Sequence, residues 1–453
     1  MQTRGFIVDV LTQFVTMATP YAPGLLTEAD QKLPKSILTQ ISNVSGYSII
    51  EPTDNAEDKA ALQAHVTKTI DEYAEHLAER THHHLGYPYN LDFDFKELEQ
   101  VQRFSVNNLG DPFVESNYGV HSRKFEIGVL EWFANVWEIP LNEMWGYVTN
   151  CGTEGNLHGV LTGREVLPTG VLYCSRATHY SVPKAARMFR MPLCLVNAND
   201  NGELDLEHLK SCLRENKLKG LPAIINVNIG TTVKGAVDDL EGVFAALEEC
   251  EYKREEYYIH VDGALFGLML PFVDSEGKAQ DEICRLSFQT NIDSVSVSGH
   301  KFVGAPVPCG VIITRKRHIL KMSSDIEYLN SKDATIMGSR NGHAALYLWY
   351  AIQKKGLLGF KADTLECINK ARALKDMLAA AGVDTFLNRL STTVVFERPK
   401  EHEFVRKWQL ACQGDIAHVV VMPSSTMEVL SDFVQELVQS RKKMAALEQE
   451  SRI

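Results

Sequence analysis

The run Ser294-Val295-Ser296-Val297-Ser298-Gly299-His300-Lys301 places a lysine at the end of a β-rich segment, directly behind a histidine. A lysine delivered to a strand end can hold an aldehyde as a Schiff base. Upstream, Tyr257-Tyr258-Ile259-His260-Val261-Asp262-Gly263-Ala264 ends a second β-rich run on a single aspartate followed by two small residues. A carboxylate beside a pyridine nitrogen keeps that base protonated and turns the ring into an electron sink. Lys301 and Asp262 together therefore point to pyridoxal 5'-phosphate, with Ala264 as the small residue against which the flat ring would lie. Taken singly, they read as a solvated strand-end lysine and an ordinary turn aspartate; the pairing carries the expectation.

Three further segments supply the rest of such a site. Met144-Trp145-Gly146-Tyr147-Val148-Thr149-Asn150 reads as a strand, followed by Cys151-Gly152-Thr153-Glu154-Gly155-Asn156 and a helical stretch from Leu157. Glycine at 152 admits close approach of the main chain, Thr153 offers a hydroxyl, and a helix start favours an anion, so this turn is a phosphate cradle in outline. A Gly-Thr-x-Gly turn by itself is more often plain capping. Ser298 and His300 would reach the same phosphate. His179, in the turn after Gly170–Ser175, could stack on the open face of the ring, although a lone loop histidine is more often surface. Thr231 and Thr232 follow the buried-strand run Ala223–Asn228.

All five segments put polar residues at strand ends, which is how an open α/β sheet binds a ligand beyond its carboxyl edge. Strands near 145, 171, 193, 223, 257, 293 and 309 alternate with helical stretches, predicting a mostly parallel central sheet covered by helices on both faces. The expected organisation is an N-terminal helical arm (1–85), a large cofactor-binding domain (86–325) and a small C-terminal α+β domain (326–453). The arm has charges at helical spacing over Glu57 to Arg80. The C-terminal domain has strand signals at Thr392–Glu397 and His418–Met422 and a charged helix over Met427 to Glu448.

The same segments resemble the group II pyridoxal-phosphate amino-acid decarboxylases, and within them the histidine-decarboxylase-like branch that includes the plant serine decarboxylases. The likeness is carried by Asn117–Ser122, Thr149–Gly159, Gly230–Asp239, Asp262–Gly267, Ser298–Phe302 and Gly338–His343, and continues at Trp408–Cys412 and His418–Pro423. It implies the α/β fold type I of pyridoxal-phosphate-dependent transferases. It also implies Lys301 as the Schiff-base lysine, Asp262 at the pyridine nitrogen and His179 on the ring. Gly152, Thr153, Ser298 and His300 would lie at the phosphate, with Thr231 or Thr232 near the ring substituents. Tyr328, in Asp325-Ile326-Glu327-Tyr328-Leu329, is a candidate proton donor to the alpha carbon from a loop that closes over substrate; a half-buried helical tyrosine is the equal alternative. The resemblance further implies a homodimer or higher homo-oligomer, with the arm packed across it.

Composition agrees with a soluble enzyme of two or three domains: 453 residues, 45% hydrophobic. A net charge of −12 disfavours nucleic acid and anionic membranes as partners. Nine cysteines without a C-x-x-C pair fit a reducing compartment, and no apolar run reaches membrane-spanning length. The first thirty residues lack a signal-peptide pattern, so the cytoplasm is expected; Met1 to Ala29 is light in acidic residues, but an organelle-targeting role is not expected.

No metal is expected: His82-His83-His84 are consecutive and cannot all face one ion. Tyr87 and Tyr89 flank a stiffening proline and are candidates for a substrate wall, or equally for aromatics packed on the core. Gly338 and Arg340 are candidates on the substrate side, with a neighbouring subunit's site as one setting; the alternatives are capping of the helix from Ala344 and an internal ion pair for Arg340. The leading expected reaction is decarboxylation of L-serine to ethanolamine and carbon dioxide. L-histidine to histamine is the alternative, followed by another pyridoxal-phosphate reaction such as transamination, and by a non-catalytic binding dimer.

Overall fold

The computed structural model describes residues 49–51, 54–273 and 285–450. The expectations for Met1 to Ala29, and for the arm before residue 49, lie outside the described residues. The described residues up to Glu79 and those from Arg80 onward separate as two units. Helix α1 (Ala56–His82) has Glu57 and Asp58 in its first turn, Arg80 and His82 in its last, and no buried residue, a charge order that suits the helix dipole.

Beyond it the chain alternates as the strand spacing predicts. Helix α2 (Arg123–Val136) precedes β1 (Met144–Thr149), α3 (Gly152–Val166), β2 (Val171–Ser175), α4 (Ser181–Phe189), β3 (Leu193–Val196) and α5 (Leu206–Lys217). Then come β4 (Ala223–Asn228), α6 (Leu240–Glu249), β5 (Tyr257–Asp262), β6 (Ser294–Ser298) and β7 (Gly310–Arg315). These strands form one sheet in the order β1-β7-β6-β5-β4-β2-β3. β7 alone runs against its neighbours β1 and β6, while β6 through β3 pair in parallel. All residues of β1, β2, β4, β5 and β6 are buried, as a sheet covered on both faces requires.

The two faces differ chemically because side chains alternate along a strand. On one face Ile225, Val227, Tyr257, Ile259, Val261, Val295 and Val297 join the large apolar core, where each fully buried aliphatic side chain contributes roughly 1.5–3 kcal/mol. On the other face, toward the carboxyl edge, the same strands carry Asn226, Asn228, His260, Asp262, Ser294, Ser296 and Ser298, all buried. Helix α3 lies over β5, β6 and β7.

After a two-stranded ribbon of β8 (Ser324–Ile326) and β9 (Ser331–Asp333), helix α7 spans Gly342–Ala380 with a break at Gly356, where φ is +56°. A second, antiparallel sheet follows in the order β10-β11-β13-β12, from β10 (Thr385–Leu387), β11 (Thr393–Glu397), β12 (Ala411–Gln413) and β13 (Ile416–Val420). It is backed by α8 (Met427–Glu450) and has its own apolar core, including Trp408, Phe396, Phe433 and Leu437. Among the described residues no helix is long and apolar enough to cross a membrane.

Three histidines lie deep in this fold. Burial pushes His158, His260 and His418 down to about 4, against opposing hydrogen bonds or the pull of Asp262, and His84, His179 and His300 shift the same way. Unfolded, these rings bind protons below about pH 6.5; folded, the deepest three do so only near pH 4. The unfolded state therefore holds more protons in that window, and stability falls with pH at up to about 1.4 kcal/mol per pH unit per histidine. Asp238, raised by burial to about 6, and Glu154, also raised by burial, oppose this but are outnumbered. The melting temperature should drop steadily between pH 7 and pH 5; a flat or rising profile would contradict the assigned burial.

Candidate active site

A cavity of about 420 Å³ opens at the carboxyl edge of the large sheet and is closed on its far side by the small sheet. The expected segments meet there. Gly152, Thr153, His179, Thr231, Thr232, Asp262, Ala264, Ser298, His300 and Lys301 all line it, as do Tyr87 and Tyr89.

The floor is built by strand register. Asn228, Asp262 and Ser296 are cross-strand neighbours on β4, β5 and β6. Asp262 is held by two donors, the Ala264 amide at 3.1 Å and the Asn156 side-chain amide at 2.7 Å. Lys301 sits just beyond β6, and burial depresses its ammonium pKa, with Asp262 pulling the other way. A lysine shifted in that direction supplies the neutral, nucleophilic amine at lower pH than a solvated one.

At one end of the cavity α3 begins. A Cβ at Gly152 would fall 2.2 Å from Ser298 Oγ, so only a glycine lets the helix start and the lysine strand enclose a narrow space between backbone N–H groups and hydroxyls. Such a cradle suits a phosphate. His300 presses its Nδ1 against the Cys309 carbonyl oxygen at 2.8 Å and its ring against Tyr89, 5.5 Å between centroids. Thr231 is buried, its hydroxyl oxygen accepting the Ala236 N–H at 2.9 Å, whereas Thr232 is exposed. These residues fit pyridoxal phosphate: a half-buried amine for the aldehyde, a carboxylate for the ring nitrogen, and a cradle for the anion.

The wall opposite is aromatic. His84 lies between Tyr87 and Tyr89, at 5.9 and 5.4 Å, while His83 packs on Trp408 instead. Gly86 allows this loop to pass: a Cβ there would meet the Gln409 carbonyl oxygen at 2.1 Å. The small sheet adds Ala411, His418 and Val420 to the wall, with His418 Nε2 bonded to the Gly86 carbonyl at 3.1 Å.

Three candidates lie elsewhere. Tyr328, in a short 3-10 turn between β8 and β9, is 82% exposed and does not line the cavity, so neither the loop position over substrate within one chain nor the half-buried helical setting is what the structure has. Gly338 is exposed with open space around it. Arg340 has the internal ion pair and not a cavity position: its guanidinium pairs with buried Glu126, donates to the Gly110 carbonyl at 3.0 Å, and lies over Tyr147. Asn341 caps α7 through the His343 and Ala344 amides.

Sequence reading missed Asn156, Ser181, His260 and Ser296, the buried polar layer under Asp262. One signal could have found them: His260 and Asp262, like Ser294, Ser296 and Ser298, recur at the strand period of two on the face that carries the aspartate. His418, Ala411 and Val420 carry no local signal, since only the fold brings the small sheet over the cavity.

The profile of the pyridoxal-dependent decarboxylase conserved domain matches residues 120–397. The chain is 57% identical to serine decarboxylase 1 of Oryza sativa subsp. japonica over 89% of this chain and 82% of the relative. It is 50% identical to a histidine decarboxylase of Solanum lycopersicum over 82% and 88%. L-methionine decarboxylase from Streptomyces sp. 590 superposes with a TM-score of 0.78 at 24% identity, covering 88% of this chain and 97% of that one, and shares the fold. The chain belongs to the pyridoxal-dependent decarboxylase family. It is a carboxy-lyase whose cofactor is pyridoxal 5'-phosphate.

Proposed function

We propose that this enzyme decarboxylates L-serine to ethanolamine and carbon dioxide. The observation that carries the reading is the 57% identity to a rice serine decarboxylase across nearly the whole chain, joined by 47% identity to serine decarboxylase 2 of the same plant over 93% of the chain. Bound pyridoxal phosphate supplies the electron sink for the pair left by the departing carboxylate. In this reading the Lys301 amine would hold the cofactor aldehyde and would give way to the substrate amine. Asp262 would keep the ring nitrogen protonated, and His179 would cover the ring face. Gly152, Thr153, Ser298 and His300 would hold the phosphate, Thr231 or Thr232 would lie beside the ring substituents, and Ala264 would lie against the flat face. Tyr87 and Tyr89 bound the substrate side.

Tyr328 and Gly338, exposed in one chain, would act only from a neighbouring subunit; a homodimer located in the cytoplasm is the accompanying proposal. Arg340 is assigned a structural role. L-Histidine is the second reading, favoured by the tomato relative at 50% identity. Carboxyl-labelled serine and histidine, supplied side by side to the holoenzyme, should release labelled carbon dioxide from serine. Release from histidine alone would transfer the assignment to histamine formation, and a keto acid without carbon dioxide would replace decarboxylation by transamination.

A further inference from the structure

We propose that Asn156 is the positioning residue of this site, one side-chain amide that fixes the Asp262 carboxylate and the His179 imidazole in a single rigid unit. The inference rests on the reading of those two side chains as cofactor contacts. All four hydrogen-bonding positions of the amide are in use. Its Nδ2 donates to Asp262 Oδ2 at 2.7 Å and to Ser181 Oγ at 3.0 Å. Its Oδ1 accepts from Ser296 Oγ at 2.7 Å and from His260 Nε2 at 3.0 Å. The Ser181 hydroxyl in turn donates a hydrogen bond to His179 Nδ1, 2.8 Å away, which leaves the His179 N–H on Nε2.

The orientation of the amide is imposed from behind. The Tyr258 hydroxyl donates to Ser294 Oγ at 2.9 Å, and Ser294 in turn donates to His260 Nδ1 at 2.8 Å. His260 therefore carries its proton on Nε2 and must face an oxygen. A flipped amide would set an oxygen against the Asp262 carboxylate and an N–H against an N–H. Donors thus run in one direction, from Tyr258 through Ser294, His260 and Asn156 to Asp262. Asn156, Ser181, His260, Ser294 and Ser296 are at most 2% exposed, so each bond is shielded from water and each loss would strand a buried polar group.

Two glycines provide independent support. A Cβ at Gly155 would lie 2.8 Å from Ser296 Cβ, and one at Gly159 2.2 Å from His260 Nδ1. Helix α3 is thereby drawn to backbone contact with the polar face of β5 and β6, the distance at which a side chain as short as asparagine reaches both Asp262 and His260.

The test uses Asn156→Asp, which replaces both donors by oxygen at constant size, and the pair His260→Leu and His260→Gln, of which only the second keeps an N–H near Nε2. Pyridoxal-phosphate affinity of the apoprotein and the pH midpoint of the absorbance of the lysine-linked cofactor are measured beside apoprotein melting temperature. Asn156→Asp should weaken cofactor binding by about tenfold or more and displace the midpoint. His260→Leu should act in the same direction, with His260→Gln recovering most of the effect. Asp262→Asn serves as reference. A displaced midpoint in Asp262→Asn with wild-type midpoints in the Asn156 and His260 variants overturns the proposal, as does a lowered melting temperature alone. No displacement in Asp262→Asn either overturns the reading of the site beneath it. Should Asn156→Asp not fold, the two His260 variants decide by the same midpoints.

Discussion

Lys301→Ala is expected to leave a folded protein that has lost both turnover and the absorbance of a lysine-linked cofactor. The structural cost is small, because the side chain faces a cavity and not the apolar core. The chemical cost is large. Lys301 is the cavity amine whose pKa is depressed by burial, and the loss in kcat should be on the order of 10³-fold or more. A far-ultraviolet spectrum like that of the parent, together with absent labelled carbon dioxide, is the expected pair of results. Retained turnover would remove the lysine from the chemistry.

The largest effect on stability is expected away from the cavity, at the buried pair of Arg340 and Glu126. Both side chains are essentially sealed from water. Glu126 also accepts from the Val148 amide and the Asn108 side chain, each at 2.8 Å, so the pair stitches β1 and α2 to the segment before α7. Arg340→Ala strands a buried carboxylate and should cost about 3–5 kcal/mol. The double variant Arg340→Met with Glu126→Gln removes both charges and should recover a good part of that loss. Urea denaturation of the three proteins checks this; equal midpoints for parent and Arg340→Ala would show that the pair carries no weight.

This arginine also shows where reading the sequence stops. Lys301, Asp262, His179 and the glycine turn were legible because each stands at a strand end, and the carboxyl edge of an α/β sheet gathers such ends without knowledge of side-chain packing. The sheet itself was legible from the alternation of buried runs with helical stretches. Arg340 and Tyr328 are long side chains on irregular segments, and no period dictates their direction. Burial decides for Arg340, where desolvation demands a paired carboxylate 214 positions away in sequence. The reversal of β7 was equally hidden, since a buried strand has the same composition in either direction. Asn156 closes the glycine turn that starts α3, yet its partners come from α4, β5 and β6 and appear only once those elements are packed.

The division of the cavity between two sheets has a consequence for descent. Lys301 and Asp262 hang from the large sheet and its core, whereas Ala411, His418 and Val420 hang from the small one. On the reading proposed above, point changes in β12 and β13 would therefore reshape one wall of the cavity while leaving Lys301 and Asp262 in place, so a change of substrate would not require a passage through an ancestor without them.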